Sequence, residues 1–106
     1  MDMYLDFSPV RIETHLSASR TGDILTVNGE AFDLSGIPEG AILPADAIDS
    51  HWFAGPVERI GGVLHVTLML PHGAHAPQET LFPAALVLTG DGAIALPAYE
   101  VSHEQD

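Results

Sequence analysis

Asn28-Gly29 stands between two short runs of alternating apolar residues, Ile24 to Val27 and Glu30 to Leu34. Asn followed by Gly supplies the two positive-φ residues that a two-residue type I′ turn requires, so the chain is expected to reverse there as a β-hairpin. Closing the turn puts Val27 opposite Glu30 and Leu25 opposite Phe32. Leu25, Val27, Phe32 and Leu34 then share one face, and Thr26 and Asp33 the other. A one-residue slip would turn the apolar set to water, so burial and turn chemistry specify the same register.

The punctuation continues along the chain. With 10 Gly and 8 Pro among 106 residues, no long window keeps a helical stripe free of breakers, apart from a weak one at 44–53. Gly61-Gly62 lies between Pro56 to Ile60 and Val63 to Leu70. Pairing across it sets Arg59 opposite Leu64 and Glu58 beside His65 on the other face. Pro56 cannot donate to a ladder, so its strand is expected to begin there or lie at an edge. Val63 to Leu70 is expected at the centre of the sheet. A third hairpin is read from Ala85 to Leu88 and Ala93 to Leu96, joined by Thr89-Gly90-Asp91-Gly92.

Met3 to Phe7 and Arg11 to Ser19 supply one or two further strands, and Thr21-Gly22-Asp23 is a turn. Residues 35–44 and 71–83 read as loops, with one helical turn at Ala45 to Asp49. The fold class is therefore all-β: a small antiparallel sandwich or open barrel of about six to eight short strands built from hairpins, with little helix. Residues 1–100 form a single β domain, and 101–106 a frayed C-terminal tail.

Charge excludes several functions. Fifteen Asp and Glu face three Arg (Arg11, Arg20, Arg59) and no Lys, a formal charge of −12. Such a chain has no electropositive track for phosphates, which argues against direct binding of nucleic acid or of an anionic membrane. Without Cys there is no disulfide framework, thiolate nucleophile or Cys-bound zinc. Met1-Asp2-Met3-Tyr4-Leu5-Asp6 lacks the basic start and apolar run of a secretory signal. The longest stretch free of acids and bases, Ile60 to Gln78, is broken by Gly and Pro and cannot serve as a membrane helix. A cytoplasmic location is expected.

Few residues suggest chemistry. His72 and His75 share one loop, and His65 or Asp49 could complete a metal site, yet a Gly- and Pro-rich loop does not fix ligands rigidly. Asp49-Ser50-His51 has the residue types of a hydrolase triad, but sequence neighbours do not make triad geometry, and Asp49 or Ser50 fits better as the cap of a turn before Trp52. Asp46 with Asp49 and Glu30 with Asp33 are the pairs that chance yields among so many acids. Gly90-Asp91-Gly92 lacks the spacing of a phosphate cradle. Trp52 and Phe53 are the candidate partner-binding residues, as an aromatic pair able to anchor an interface.

The segment from Leu43-Pro44-Ala45-Asp46 through His51-Trp52-Phe53-Ala54-Gly55-Pro56 to Ile60, the strand end Leu68-Met69-Leu70-Pro71-His72 and the upstream Asn28-Gly29-Glu30-Ala31-Phe32-Asp33 resemble uncharacterised small proteins encoded in bacteriophage and prophage regions. The resemblance implies a virion accessory or assembly role, in the tail region, inside a bacterial host or within the virion. It assigns no site residue. The reading that follows is a non-enzymatic protein-interaction module without cofactor. It has a protein partner and a route to homo-oligomers by strand addition at sheet edges. Two alternatives are an acidic decoy that inhibits a nucleic-acid-binding protein and a His-loop metal-binding protein.

Overall fold

The computed structural model describes residues 3–48 and 50–96, and all structural statements below concern these. Nine strands run in chain order: β1 (Met3–Arg11), β2 (Ala18–Thr21), β3 (Ile24–Val27), β4 (Glu30–Asp33), β5 (Ile42–Leu43), β6 (Val57–Ile60), β7 (Val63–His72), β8 (Leu86–Leu88) and β9 (Gly92–Ala93). A 3₁₀ turn at Ala45–Ala47 and a one-turn helix α1 at Gln78–Leu81 complete the set. The strands form two sheets, ordered β5-β6-β7-β1-β8 and β4-β3-β2-β9. Met3, Leu5, Val57, Leu64, Val66 and Leu68 of the first sheet and Ala18, Leu25 and Val27 of the second join one buried cluster. The fold is thus a small all-β structure with the core between two layers. The proposed tail at 101–106 lies outside the described residues.

Turn chemistry explains the local ladders. Asn28 has φ 48° and Gly29 φ 84°, and Val27 pairs with Glu30, Thr26 with Ala31 and Leu25 with Phe32. Gly61 and Gly62 have φ 59° and 80°, and Ile60 pairs with Val63, Arg59 with Leu64 and Glu58 with His65. β6 starts directly after Pro56. β7 is the third of five strands, and its alternate residues Leu64, Val66, Leu68 and Leu70 are all at most 1% exposed, as period-two patterning on a central strand requires.

Nine strands form instead of six to eight, and β1 runs unbroken through Ser8-Pro9 while no strand forms at 12–17; three further features differ from the sequence reading. First, β1 runs parallel to β7 over nine residue pairs, from Met3↔Leu64 to Arg11↔His72. A parallel pair needs a long connection, and here the chain passes through the β2-β3-β4 meander of the other sheet and returns by β5 and β6 before β7. Pro9 and Pro71 are tolerated inside these strands because each lies past the end of the ladder on its other side.

Second, the hairpin expected between Ala85 to Leu88 and Ala93 to Leu96 does not form. β8 pairs with β1, whereas β9 pairs with β2 in the other sheet, so residues 89–91 cross between layers. Arg20 pins this crossover, its Nη1 donating to Leu88 O at 2.8 Å and its Nε to Gly22 O at 2.8 Å, while Gly22 N donates to the Asp91 carboxylate at 2.8 Å.

Third, 71–83 is not wholly loop, since β7 extends to His72 and α1 begins after Pro77, whose fixed φ suits a helix start. Likewise β5 places a two-residue edge strand inside the 35–44 loop.

Candidate functional site

The crossover closes the side of the two-layer structure where β8 and β9 end their sheets. The opposite side carries the other two edge strands, β4 and β5. Part of that side is clasped by Arg59, a buried side chain on β6. Its Nε donates to Ile37 O at 2.6 Å, and its Nη2 meets Asp23 Oδ2 at 3.0 Å and Leu34 O at 3.4 Å. The loop after β4 is thereby held against the first sheet. Glu39 in the same loop accepts from the N–H groups of Gly61 and Gly62 at 2.7 and 2.6 Å, which satisfies the turn's outward donors.

Beyond the clasp the layers stand apart. A groove of about 360 Å³ runs between β4 and the stretch from β5 to the 3₁₀ turn, lined by Glu30, Ala31, Phe32, Asp33, Leu34, Leu43, Ala47 and Ile48. Its floor is apolar. Phe32 lies half-buried there and meets the buried Phe53 edge to face, with ring centroids 5.1 Å apart at 76°, a favoured aromatic geometry that fixes the ring. Glu30 and Asp33 stand exposed at its rim. Ser35 holds the Asp33 carboxyl below its usual range, through a side-chain hydrogen bond and then a backbone one.

β4 offers backbone as well as side chains. In the ladder closed by Asn28-Gly29, Glu30 and Phe32 form the hydrogen-bonded pairs with β3, and Leu34 N donates to Asp23 O at 2.9 Å. By alternation, the N–H and C=O groups of Ala31 and Asp33 point away from β3, along the open edge. No backbone hydrogen bond among the described residues engages those two N–H groups.

The expected site residues fall elsewhere. Trp52 and Phe53 are not surface anchors: they are 7% and 4% exposed and belong to the core. Phe53 forms an isolated antiparallel bridge with Leu68, and Met69 N donates to Trp52 O at 2.7 Å, so this stretch lies flat along β7 before Gly55-Pro56 leads into β6. The exposed His51 ring packs against Trp52, with centroids 4.6 Å apart. Ser50 Oγ accepts from Trp52 N at 3.2 Å, which is the turn-capping arrangement expected of Asp49 or Ser50. Asp49 itself lies outside the described residues.

The metal candidates do not meet. His65 and His72 sit seven residues apart on β7, an odd spacing that sends them to opposite faces and separates them by roughly 23 Å along the strand. His65 packs on Tyr4, with ring centroids 5.0 Å apart. The His72 Nδ1 lies 3.0 Å from Gly73 O, and His75 is exposed. No group of three or more potential ligands occurs among the described residues. A shallow depression around Arg20, Thr21, Asp23 and Asp33 holds polar groups that are already engaged, Asp23 with Arg59 and Asp33 with Ser35.

Phe32, Leu43 and Ile48 thus form a floor that the sequence reading did not single out. Phe32 lies on the apolar face of its hairpin opposite Leu25, as the alternation predicts. Its position at an open edge was not legible, because it depends on which strand of the other layer ends nearby. Compared with protein-family models, with curated proteins and with solved structures, the chain finds no match.

Proposed function

We propose that this protein is a non-enzymatic protein-interaction module that serves as a structural or assembly accessory of a phage or prophage. The observation that carries the interaction reading is the groove between β4 and β5, where an unpaired strand edge borders an apolar floor. Edges of this kind are templates for strand addition, and proteins that do not use them blunt them with short strands, charges, Pro or a covering loop. β4 is four residues long without Lys or Pro, and its Glu30 and Asp33 disfavour a like-charged strand and favour one of opposite charge. The phage setting rests on the resemblance of the segments at 28–33, 43–60 and 68–72.

The non-enzymatic reading draws support from the scatter of the reactive side chains. His65, His72 and His75 stand apart, and Ser50 is spent on a turn. The decoy alternative asks for carboxylates in phosphate-like rows. Here Glu39, Asp23, Asp33 and Asp91 are tied to turns and clasps, and Asp6 and Glu58 sit on the outer face of the other layer, so these six line no common row.

Zero-length carbodiimide cross-linking, which joins the carboxylates of this Lys-free chain to amines of a partner, followed by mass spectrometry on a tagged chain in lysates of an induced lysogenic host, tests the function. Cross-links to capsid or tail proteins are expected. A chain that stays uncross-linked throughout particle assembly would sink the reading.

A further inference from the structure

We propose that the groove between β4 and β5 receives an extended, arginine- or lysine-bearing segment of another protein, which adds as a strand along the free edge of β4. The inference rests on the interaction reading above and names the partner's chemistry and its mode of docking.

Backbone, floor and charge each contribute. Ala31 and Asp33 present their N–H and C=O groups outward, at the spacing an added strand would match residue for residue. An added strand alternates its side chains, so every second residue would lie beside Phe32, between the layers and above Leu43 and Ile48. Those positions call for apolar residues of modest size. The intervening residues would flank Asp33, with Glu30 at one end of the groove. No Lys or Arg lines the groove.

Charge selects the occupant. Of the three Arg in the chain, Arg20 and Arg59 are 3% and 8% exposed and are held by backbone carbonyls. Only Arg11 is a surface cation, at the far end of β1. A second copy would bring the same charge of −12 and the same carboxylates to the mouth, and like charges at close quarters oppose that pairing. A basic segment is attracted to the edge and gains the strand hydrogen bonds.

The test uses the full ¹⁵N-labelled chain and a capped peptide of sequence Arg-Val-Arg-Val-Arg-Val-Arg, beside a charge-reversed peptide with Glu for Arg and a third peptide N-methylated along one backbone edge. The basic peptide is expected to shift the Ala31 and Asp33 amides and to slow their hydrogen exchange about tenfold. The charge-reversed peptide should not bind, and N-methylation should weaken binding about tenfold or more. Ala31→Pro removes one outward donor without touching the β3 ladder and should weaken binding by a similar factor. The double variant Glu30→Gln with Asp33→Asn, which leaves the backbone unchanged, should weaken binding and flatten its salt dependence.

Equal binding of the N-methylated peptide, or amide shifts spread over the outer face of the β5-β6-β7-β1-β8 sheet, would overturn the inference by showing attraction without strand addition. Cross-links to virion proteins that avoid 30–34 and 43–48 would likewise overturn it and leave the interaction module standing.

Discussion

Arg59 ties together three loops and turns that lie far apart in the chain. One guanidinium joins the loop after β4, the β2-β3 turn and the Gly61-Gly62 turn, through Ile37 O, Leu34 O, Asp23 and Gly62 O. Replacing it with Met keeps much of the stem's packing and strands those acceptors. Breaking a buried pair typically costs 3–5 kcal/mol, but the Asp23 side chain is 27% exposed and can rehydrate. Arg59→Met is therefore expected to lose about 2 to 3 kcal/mol in urea unfolding, and Asp23→Asn, which spares the carbonyl bonds, about 1 kcal/mol. Equal losses would show that the ion pair, not the carbonyl clasp, dominates. At Asp33 the ionised carboxylate is favoured by Ser35, first through its hydroxyl and then through its N–H. A carboxyl whose folded pKa is depressed contributes stability that is present above its unfolded pKa and fades as pH falls through the folded value. Ser35→Ala should raise the Asp33 titration midpoint toward the ordinary Asp range in carboxyl ¹³C NMR. An unchanged midpoint would assign the depression to the backbone.

At the scale of elements, what was legible depended on how far the partner lay along the chain. Asn28-Gly29 and Gly61-Gly62 specify their hairpins locally, because the positive-φ requirement and the apolar alternation select the same register. Leu64, Val66, Leu68 and Leu70 marked β7 as central for the same reason. Gly90-Asp91-Gly92 has the composition of a tight turn and predicts a hairpin, whereas β8 and β9 pair in different sheets. The deciding groups, Arg20 and the Asp91 acceptor for Gly22, act across some 70 residues of chain. Trp52 and Phe53 read in the sequence as candidate partner-binding aromatics because no strand is visible there, yet they continue the ladder along β7 past the interruption at Gly55-Pro56. The groove was illegible for a related reason: Phe32, Leu43 and Ile48 come together only once the edges of two layers are placed side by side. The central place of β7 predicts a graded response. Leu68→Ala, at a fully buried position, should cost about 3 kcal/mol. Ile42→Ala, on the edge strand at 59% exposure, should stay within about 0.5 kcal/mol. Urea midpoints read both, and a comparable loss at Ile42 would mean that β5 is packed more tightly than its exposure shows.

For the whole molecule the governing fact is where the charges went. Folding draws two of three Arg into the interior and leaves the acids among the described residues at the surface or in turns, so the described exterior bears one sign almost throughout. Such a surface keeps copies apart and destabilises the compact state by self-repulsion. Screening should relieve that repulsion, since the Debye length falls from about 30 Å at 0.01 M to about 8 Å at 0.15 M salt. The buried contacts of Arg20 and Arg59 are short, partly desolvated and little affected by ions. The urea midpoint is therefore expected to rise when NaCl is increased from 0.01 to 0.15 M, with an unchanged slope, and most of the gain should come below 0.15 M. A chloride salt is the appropriate probe, because sulfate would add stability by exclusion from the surface whatever the charge. A midpoint that falls with NaCl would mean that attractive pairs outweigh the repulsion, and that the acidic exterior is balanced by contacts other than the two clasps described.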